Sequence, residues 1–249
     1  FEQFGIDTSR VLHTPITDIE ELKFDLISQL EGMDKKDNVV VVIDSIGNLA
    51  SKKEKDDAVS EKSVGDMTRA KQLKSLFRMC TPYLAMKDIP LLAVNHTYQT
   101  QEMFSKAVVS GGTGIYYSAN DIWILGRRQV KTGTEITGYD FVINIEKSRS
   151  VKEKSKIPIS VSWEGGVEKY SGLLEVALAG GFVRKPTIGW YEGINPESGE
   201  VLTSKSRAAD ALKEEFWTRI LAETDFKDFI KRTFTIGYKS DIDFDELVE

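Results

Sequence analysis

Three places in this chain carry side chains whose types and positions suit phosphate chemistry. The first is Asp44, which closes the run Val39-Val40-Val41-Val42-Ile43 and is followed by Ser45. Five consecutive β-branched residues with no polar alternation predict a strand buried on both faces, as in the middle of a helix-covered parallel sheet. A carboxylate at the carboxyl edge of such a sheet lies where open α/β sheets bind ligands. It is costly there unless a charge uses it. The usual user is a magnesium ion carrying a nucleoside triphosphate. The bland alternative is an aspartate capping the next turn, and this pattern alone leaves the two readings level.

The second place is Asn95-His96, which ends the apolar run Leu91-Leu92-Ala93-Val94. One helical pattern separates it from Asp44, so the two strand edges should be neighbours in the sheet. A polar side chain at that edge can touch a terminal phosphate and report its presence to the following loop. A lone histidine is more often a cap for backbone groups, but the position beside the Asp44 strand favours the sensing role. The third place is Lys147 and Arg149, alternating on one face of a strand end, with Lys152, Lys154 and Lys156 behind them. Such cations can answer the phosphates of a nucleotide or of nucleic acid. A strand edge guarded by lysines is the commoner explanation for such a run.

The elements that position these groups read as strand and helix in alternation. Arg10 to His13 is a short strand candidate. Thr17 and Glu20 form a capping box, with Ile19, Leu22, Leu26, Ile27 and Leu30 at helical spacing. After the Val39 strand, a second amphipathic helix carries Met67, Ala70, Leu73, Leu76, Phe77 and Cys80 inward, and Pro82 should bend or end it. Two polar connections, 52–65 and 97–114, exceed the compact norm, and loops of that length are usually functional or disordered. The second contains Met103-Phe104 and Lys106 and ends in Gly111-Gly112-Thr113-Gly114. An apolar wedge there could insert between stacked bases, or could tuck back into the core.

Beyond residue 120 the pattern changes. Ile122 to Leu125, Tyr139 to Ile145 and Ile157 to Trp163 read as antiparallel additions to the sheet. Gly133 and Gly138 have the spacing of a phosphate-binding loop, but Tyr139 and Asp140 stand where Lys and Ser/Thr are needed, so a hairpin is expected. A helix from Ser171, a Gly180-Gly181 break and a helical segment from about Ser206 to Phe234 follow, then an acidic tail.

Length and composition bound the possibilities. A chain of 249 residues can bury a large core, so one α/β domain with a smaller appendage is expected. A net charge of −6 offers no global basic patch, so nucleic-acid contacts would have to be local loops. Cys80 is the only cysteine, which excludes a disulfide framework and reads as cytoplasmic. No apolar run approaches the roughly eighteen residues a membrane span needs. The start at Phe1 suggests a fragment.

Taken together, Val42–Lys53, Asp66–Lys71, Asn95–Tyr98, Gln101–Lys106, Gly111–Gly114, Glu146–Lys156 and Tyr170–Leu174 are similar to RecA-family recombinases, nearest to the UvsX branch of large tailed phages. The resemblance runs to about Tyr191 and weakens afterwards. It implies a RecA-like P-loop ATPase core over 1–175, with a mixed, mostly parallel central sheet flanked by helices. A small C-terminal α/β appendage over 176–240 and an acidic tail over 241–249 complete that expectation. It also implies an ATP-dependent DNA-strand-exchange enzyme that filaments on single-stranded DNA, engages double-stranded DNA, and works with loader or single-strand-binding proteins.

In such proteins the aspartate matching Asp44 acts on Mg²⁺–ATP, with Ser45 and Asn95 beside it, and the residue matching His96 senses the γ-phosphate. The cations matching Lys147 and Arg149 reach a neighbouring subunit's ATP. A first DNA loop about 53–65 brings Ser63, Val64, Gly65 and Arg69 to DNA, and a second brings Met103, Phe104, Lys106, Gly111 and Gly112. The phosphate-binding loop, the water-activating glutamate and the adenine-stacking aromatic would all precede Phe1, so this stretch alone is expected to be inactive. A non-catalytic paralogue that binds single-stranded DNA or assists a recombinase is the alternative.

Overall fold

The computed structural model describes residues 1–2, 5–60, 68–100 and 107–238. The chain divides into two compact units, Phe1–Ala119 and Asn120–Glu249. The expected strand at 10–13 does not form: a single 3-10 turn occupies Thr8–Arg10, and extended chain follows it.

The first unit packs helices on one face of a small parallel sheet. Helix α1 (Ile19–Gly32) begins one residue later than the Thr17–Glu20 box predicts. Asp18 is the N-cap, accepting from the Glu21 amide, while the Glu21 carboxylate accepts from both Thr17 donors. Strand β1 (Val41–Ile43) pairs in parallel with β2 (Leu91–Ala93), Val41 opposite Leu91 and Ile43 opposite Ala93. Helix α2 (Lys52–Val59) and helix α3 (Thr68–Lys87) lie between them in sequence.

Three expectations need correcting here. The polar stretch beginning at residue 52 is helical in its first half. Ser51 and Glu54 form a reciprocal capping box, and Lys53 pairs with Asp57 one turn on. Helix α3 passes through Pro82 to Lys87 without ending. Its inward stripe Leu73, Leu76, Phe77 and Cys80 is almost wholly excluded from water, and Tyr83 and Leu84 continue it beyond the proline. That continued burial offsets the roughly 3 kcal/mol a helix-interior proline costs. Finally, β1 is covered on one face only: Ile43 is 8% exposed whereas Val40 and Val42 are both 59% exposed, as is Leu92 at 58%. Helices α1 and α3 cover one side, and a continuous β-branched run does not by itself say that both sides are covered.

The stretch after His96 is also more regular than expected. Strand β3 (Thr97–Gln99) pairs antiparallel with β4 (Ala107–Val109), and helix α4 (Thr113–Ser118) follows. Cys80 is a core thiol whose burial pushes its pKa up to about 11, which makes it unreactive.

In the second unit β5 (Ile122–Thr132), β6 (Glu135–Lys147), β7 (Lys156–Ser162) and β8 (Gly166–Val167) form an antiparallel sheet in that order. The hairpin expected about Gly133 joins β5 to β6. These strands make a sheet of their own, not additions to the β1–β2 pair. The fold among the described residues is therefore mixed α/β with several small sheets, and a single central parallel sheet is not formed by them.

Helix α5 (Leu173–Ala179), the hairpin β9 (Val183–Thr187) with β10 (Trp190–Gly193), and helices α6 (Glu214–Glu223) and α7 (Phe226–Phe234) enclose an aromatic core. Trp217 lies at its centre, fully buried. Its indole N–H donates to Ala211 O at 2.6 Å, and its ring stacks on Phe226 at 5.8 Å. Trp217→Ala is expected to cost about 3–5 kcal/mol of stability through the cavity it leaves. Urea unfolding of purified variant and wild type measures this, and an unchanged midpoint would remove Trp217 from the core's centre.

Candidate functional site

The parallel pairing of β1 and β2 brings Asp44 and Asn95-His96 to adjacent strand ends. Beyond the ladder, Val94 N donates to Ile43 O at 2.9 Å and Ile46 N donates to Val94 O at 3.0 Å, so the two chains stay paired as they leave the sheet. Asp44 is exposed there, Ser45 is half-buried, and the peptide between them is cis. The following turn, Ile46–Asn48, is stapled by Arg69. Its Nε donates to Leu49 O at 2.9 Å and its Nη2 to Ile46 O and Gly47 O at 2.9 and 3.0 Å. Arg69, counted among the DNA contacts from sequence, thus has its half-buried guanidinium engaged by the turn that follows Asp44.

His96 is exposed and its imidazole lies against the same turn. A Cβ built on Gly47 would stand 2.8 Å from the ring's Cδ2, so only glycine admits the ring at this distance. Gly47 was not singled out in the sequence, where one glycine after an aspartate carries no distinguishing signal. Asn95 links the edge to the β3–β4 ribbon. Its Nδ2 donates to Ser110 O at 2.7 Å, its Oδ1 accepts from the His96 amide at 2.9 Å, and Ser110 N donates to His96 O. The backbone of His96 is thus bonded to the root of the ribbon.

Of the residues proposed to meet DNA, Ser63, Val64, Gly65, Met103, Phe104 and Lys106 lie outside the described residues. Gly111 and Gly112 lie between β4 and α4, Gly112 as the helix N-cap, with φ of 95° and 81°. A Cβ on Gly111 would approach Ile115 Cδ1 to 2.5 Å and Leu73 Cδ1 to 2.9 Å, so this glycine admits close packing on the core.

The cationic turn belongs to the second unit. Lys147 ends β6 and is half-buried, Ser148 is buried, and Arg149 is exposed. Ser148 Oγ donates to the Asp121 carboxylate and accepts from the amides of Ser150 and Val151 at 3.2 and 3.0 Å. Lys152 was counted from sequence among the cations available to phosphate. Its ammonium donates instead to Arg232 O and Thr233 O at 3.0 and 2.7 Å, at the end of α7. Asp121 and Ser148 were missed because a serine between two cations looks like solvated turn chemistry until its burial is seen.

Whether a magnesium nucleotide fits can be judged from the donor set. Among the described residues no cluster of three or more His, Cys, Asp or Glu could hold a metal ion. One exposed carboxylate at a sheet edge suits magnesium, which is commonly held by one or two carboxylates, with phosphates and water completing its shell. Asp44 fits that description, and Ser45, Asn95 and His96 lie within the same edge.

An exposed carboxylate beside a polar pair at the carboxyl ends of adjacent parallel strands occupies the place where open α/β sheets bind ligands. Residues 170–230 match the family model described as the C-terminal domain of the bacteriophage T4 recombination and repair protein. The chain is a relative of the recombination and repair protein of Enterobacteria phage T4, 51% identical over 98% of its own length and 63% of the relative's. More distantly it is related to protein RecA of Mycoplasma mycoides subsp. mycoides, 22% identical over 80% of the chain and 57% of that protein. A second RecA from Mycoplasma mycoides is 23% identical over 82% of the chain and 58% of its own length. The chain therefore spans about three-fifths of these relatives. Among the described residues no helix is long and apolar enough to cross a membrane.

Proposed function

We propose that the full-length protein is an ATP-dependent DNA-strand-exchange recombinase, acting in homologous recombination and repair as a filament on single-stranded DNA. The observation that carries this reading is the parallel β1–β2 pair, which sets Asp44 beside Asn95-His96 in a chain 51% identical to a phage recombination and repair protein. Mg²⁺–ATP would be held at this edge by Asp44, with Ser45, Asn95 and His96 around the phosphates. When bound, the nucleotide supplies a γ-phosphoryl group for transfer to water and a charge that differs between its triphosphate and diphosphate forms.

The chain's own residues do the rest. Asp44 would hold the metal, and His96 would donate a hydrogen bond toward the terminal phosphate. Lys147 and Arg149 would stabilise charge on the phosphate of a nucleotide held by an adjoining subunit. The DNA contacts fall to Ser63, Val64 and Gly65 on one side, and to Met103, Phe104, Lys106, Gly111 and Gly112 on the other, while Arg69 holds the turn after Asp44. Single- and double-stranded DNA, further copies of the chain, and loader or single-strand-binding proteins are its partners, in the host cytoplasm.

The link from nucleotide to DNA runs through His96, since its ring touches the turn after Asp44 and its backbone is bonded to Ser110 at the root of the ribbon. A coupling between two sites of 1–3 kcal/mol is typical, so ATP should tighten single-stranded DNA binding by about 5- to 150-fold over ADP. His96→Ala is expected to keep nucleotide binding and to make DNA affinity nearly equal with the two nucleotides. A DNA titration at fixed salt, with a non-hydrolysable ATP analogue and with ADP, measures this. Full retention of the ATP-dependent gain in His96→Ala would reduce the histidine to a cap.

A further inference from the structure

We propose that Lys152, together with the Ser148–Asp121 pair, positions Lys147 and Arg149, and that helix α7 is thereby part of the machinery of the cationic turn. This rests on the reading in which Lys147 and Arg149 act on an adjoining subunit's nucleotide. The connection from β6 to β7 is long enough to wander, yet its backbone is tied down at several points, with the amides of Ser150, Val151, Lys152, Lys154 and Ser155 all bonded. Ser148 Oγ uses its whole capacity, one donor and two lone pairs, on Asp121, Ser150 N and Val151 N. Ser155 is fully buried and its Oγ donates to Lys152 O at 2.7 Å.

The far side of the turn is clamped to α7. Lys152 N donates to Phe234 O at 2.8 Å, Ile236 N donates to Ser150 O at 3.0 Å, and Val151 forms an antiparallel bridge with Thr235. The Lys152 ammonium closes the clamp on the carbonyls of Arg232 and Thr233, acceptors that the end of a helix leaves open. A cation placed at a helix C-terminus is also favoured by the helix dipole. Helix α7 is itself held by Phe226, which is fully buried against Phe182 and Trp217. Rigidity thus passes from the aromatic core through α7 and Lys152 to the turn that presents Arg149. Lys152 never needs to touch a ligand to matter.

The test uses the full-length protein and its DNA-stimulated ATP hydrolysis. A misplacement of about 1 Å in a group that stabilises a transition state can cost on the order of 100-fold. Lys152→Ala is therefore expected to lower kcat by about 10- to 100-fold while KM for ATP stays within about twofold, since ground-state nucleotide binding is made elsewhere. Lys152→Arg should recover most of the loss, because a guanidinium also serves two carbonyls. Asp121→Ala, at an exposed position that the core does not need, should lower kcat in the same way and supplies the answer if Lys152→Ala fails to fold.

In mixtures, Lys152→Ala subunits should regain turnover beside Asp44→Asn subunits, which contribute an intact turn, and should gain nothing beside Arg149→Ala subunits. Wild-type kcat in both Lys152→Ala and Asp121→Ala would overturn the proposal. So would a loss that Asp44→Asn subunits relieve for Arg149→Ala but not for Lys152→Ala. If Arg149→Ala itself keeps full turnover, the role of the turn at the nucleotide is what fails, and the positioning role falls with it.

Discussion

Arg149→Ala and Lys147→Ala are each expected to cut DNA-stimulated ATP hydrolysis by the full-length protein about 10²- to 10³-fold. In phosphoryl transfer there is little covalent work for a protein to do, and most of the acceleration comes from placing charge where negative charge develops. Arg149 is exposed on a turn whose backbone is fixed on both sides, by Ser148 and Asp121 and by the end of α7. The Arg149 side chain itself is solvated and contributes little to stability. A strand-edge role would leave turnover within about twofold of wild type, since surface substitutions away from such sites are usually within ±0.5 kcal/mol. Steady-state hydrolysis with and without single-stranded DNA, alongside thermal midpoints to exclude unfolding, separates the two.

The second large effect is at Asp44. Asp44→Asn should remove at least about 10²-fold of the same turnover while leaving the fold intact. The exposed side chain makes no contribution to the core of α1, α3 and the sheet, so its replacement by an isosteric amide disturbs no packing. What changes is charge: a neutral amide holds the magnesium shell poorly, and the nucleotide is then presented without its counter-ion in register. A magnesium titration of hydrolysis in wild type and variant checks this, and wild-type turnover at ordinary magnesium would take Asp44 out of the site.

The site's framework was legible in sequence where hydrophobic pattern and order along the chain determine it. Two apolar runs, each ending in polar residues and separated by one helix, are enough to place Asp44 and His96 at the ends of neighbouring parallel strands, as the parallel pairing of Val41 with Leu91 bears out. Alternation likewise marked β5, β6 and β7 as antiparallel, although it could not say that they form a separate sheet. What escaped was information held in side-chain bonds and coverage. The run Val39–Ile43 looks the same whether one face or both are packed, and only the exposure of Val40 and Val42 distinguishes the cases. Ser51-x-x-Glu54 was a readable cap, but the charge density after it suggested a loop. Lys152 and Arg69 look like available cations in sequence, and both turn out to hold backbone carbonyls of neighbouring turns.

The most direct test of a nucleotide site shared between subunits is turnover in mixed filaments of Asp44→Asn and Arg149→Ala proteins. Each variant alone should be nearly inactive, for a different reason. In a co-assembled mixture, interfaces that join an intact Asp44 to an intact Arg149 are whole, and random mixing of equal amounts should restore roughly a quarter of wild-type DNA-stimulated hydrolysis. Recovery of that order is the result expected. Filaments shown to contain both subunits yet no more active than either variant alone would contradict the assignment of Arg149 to a neighbour's nucleotide.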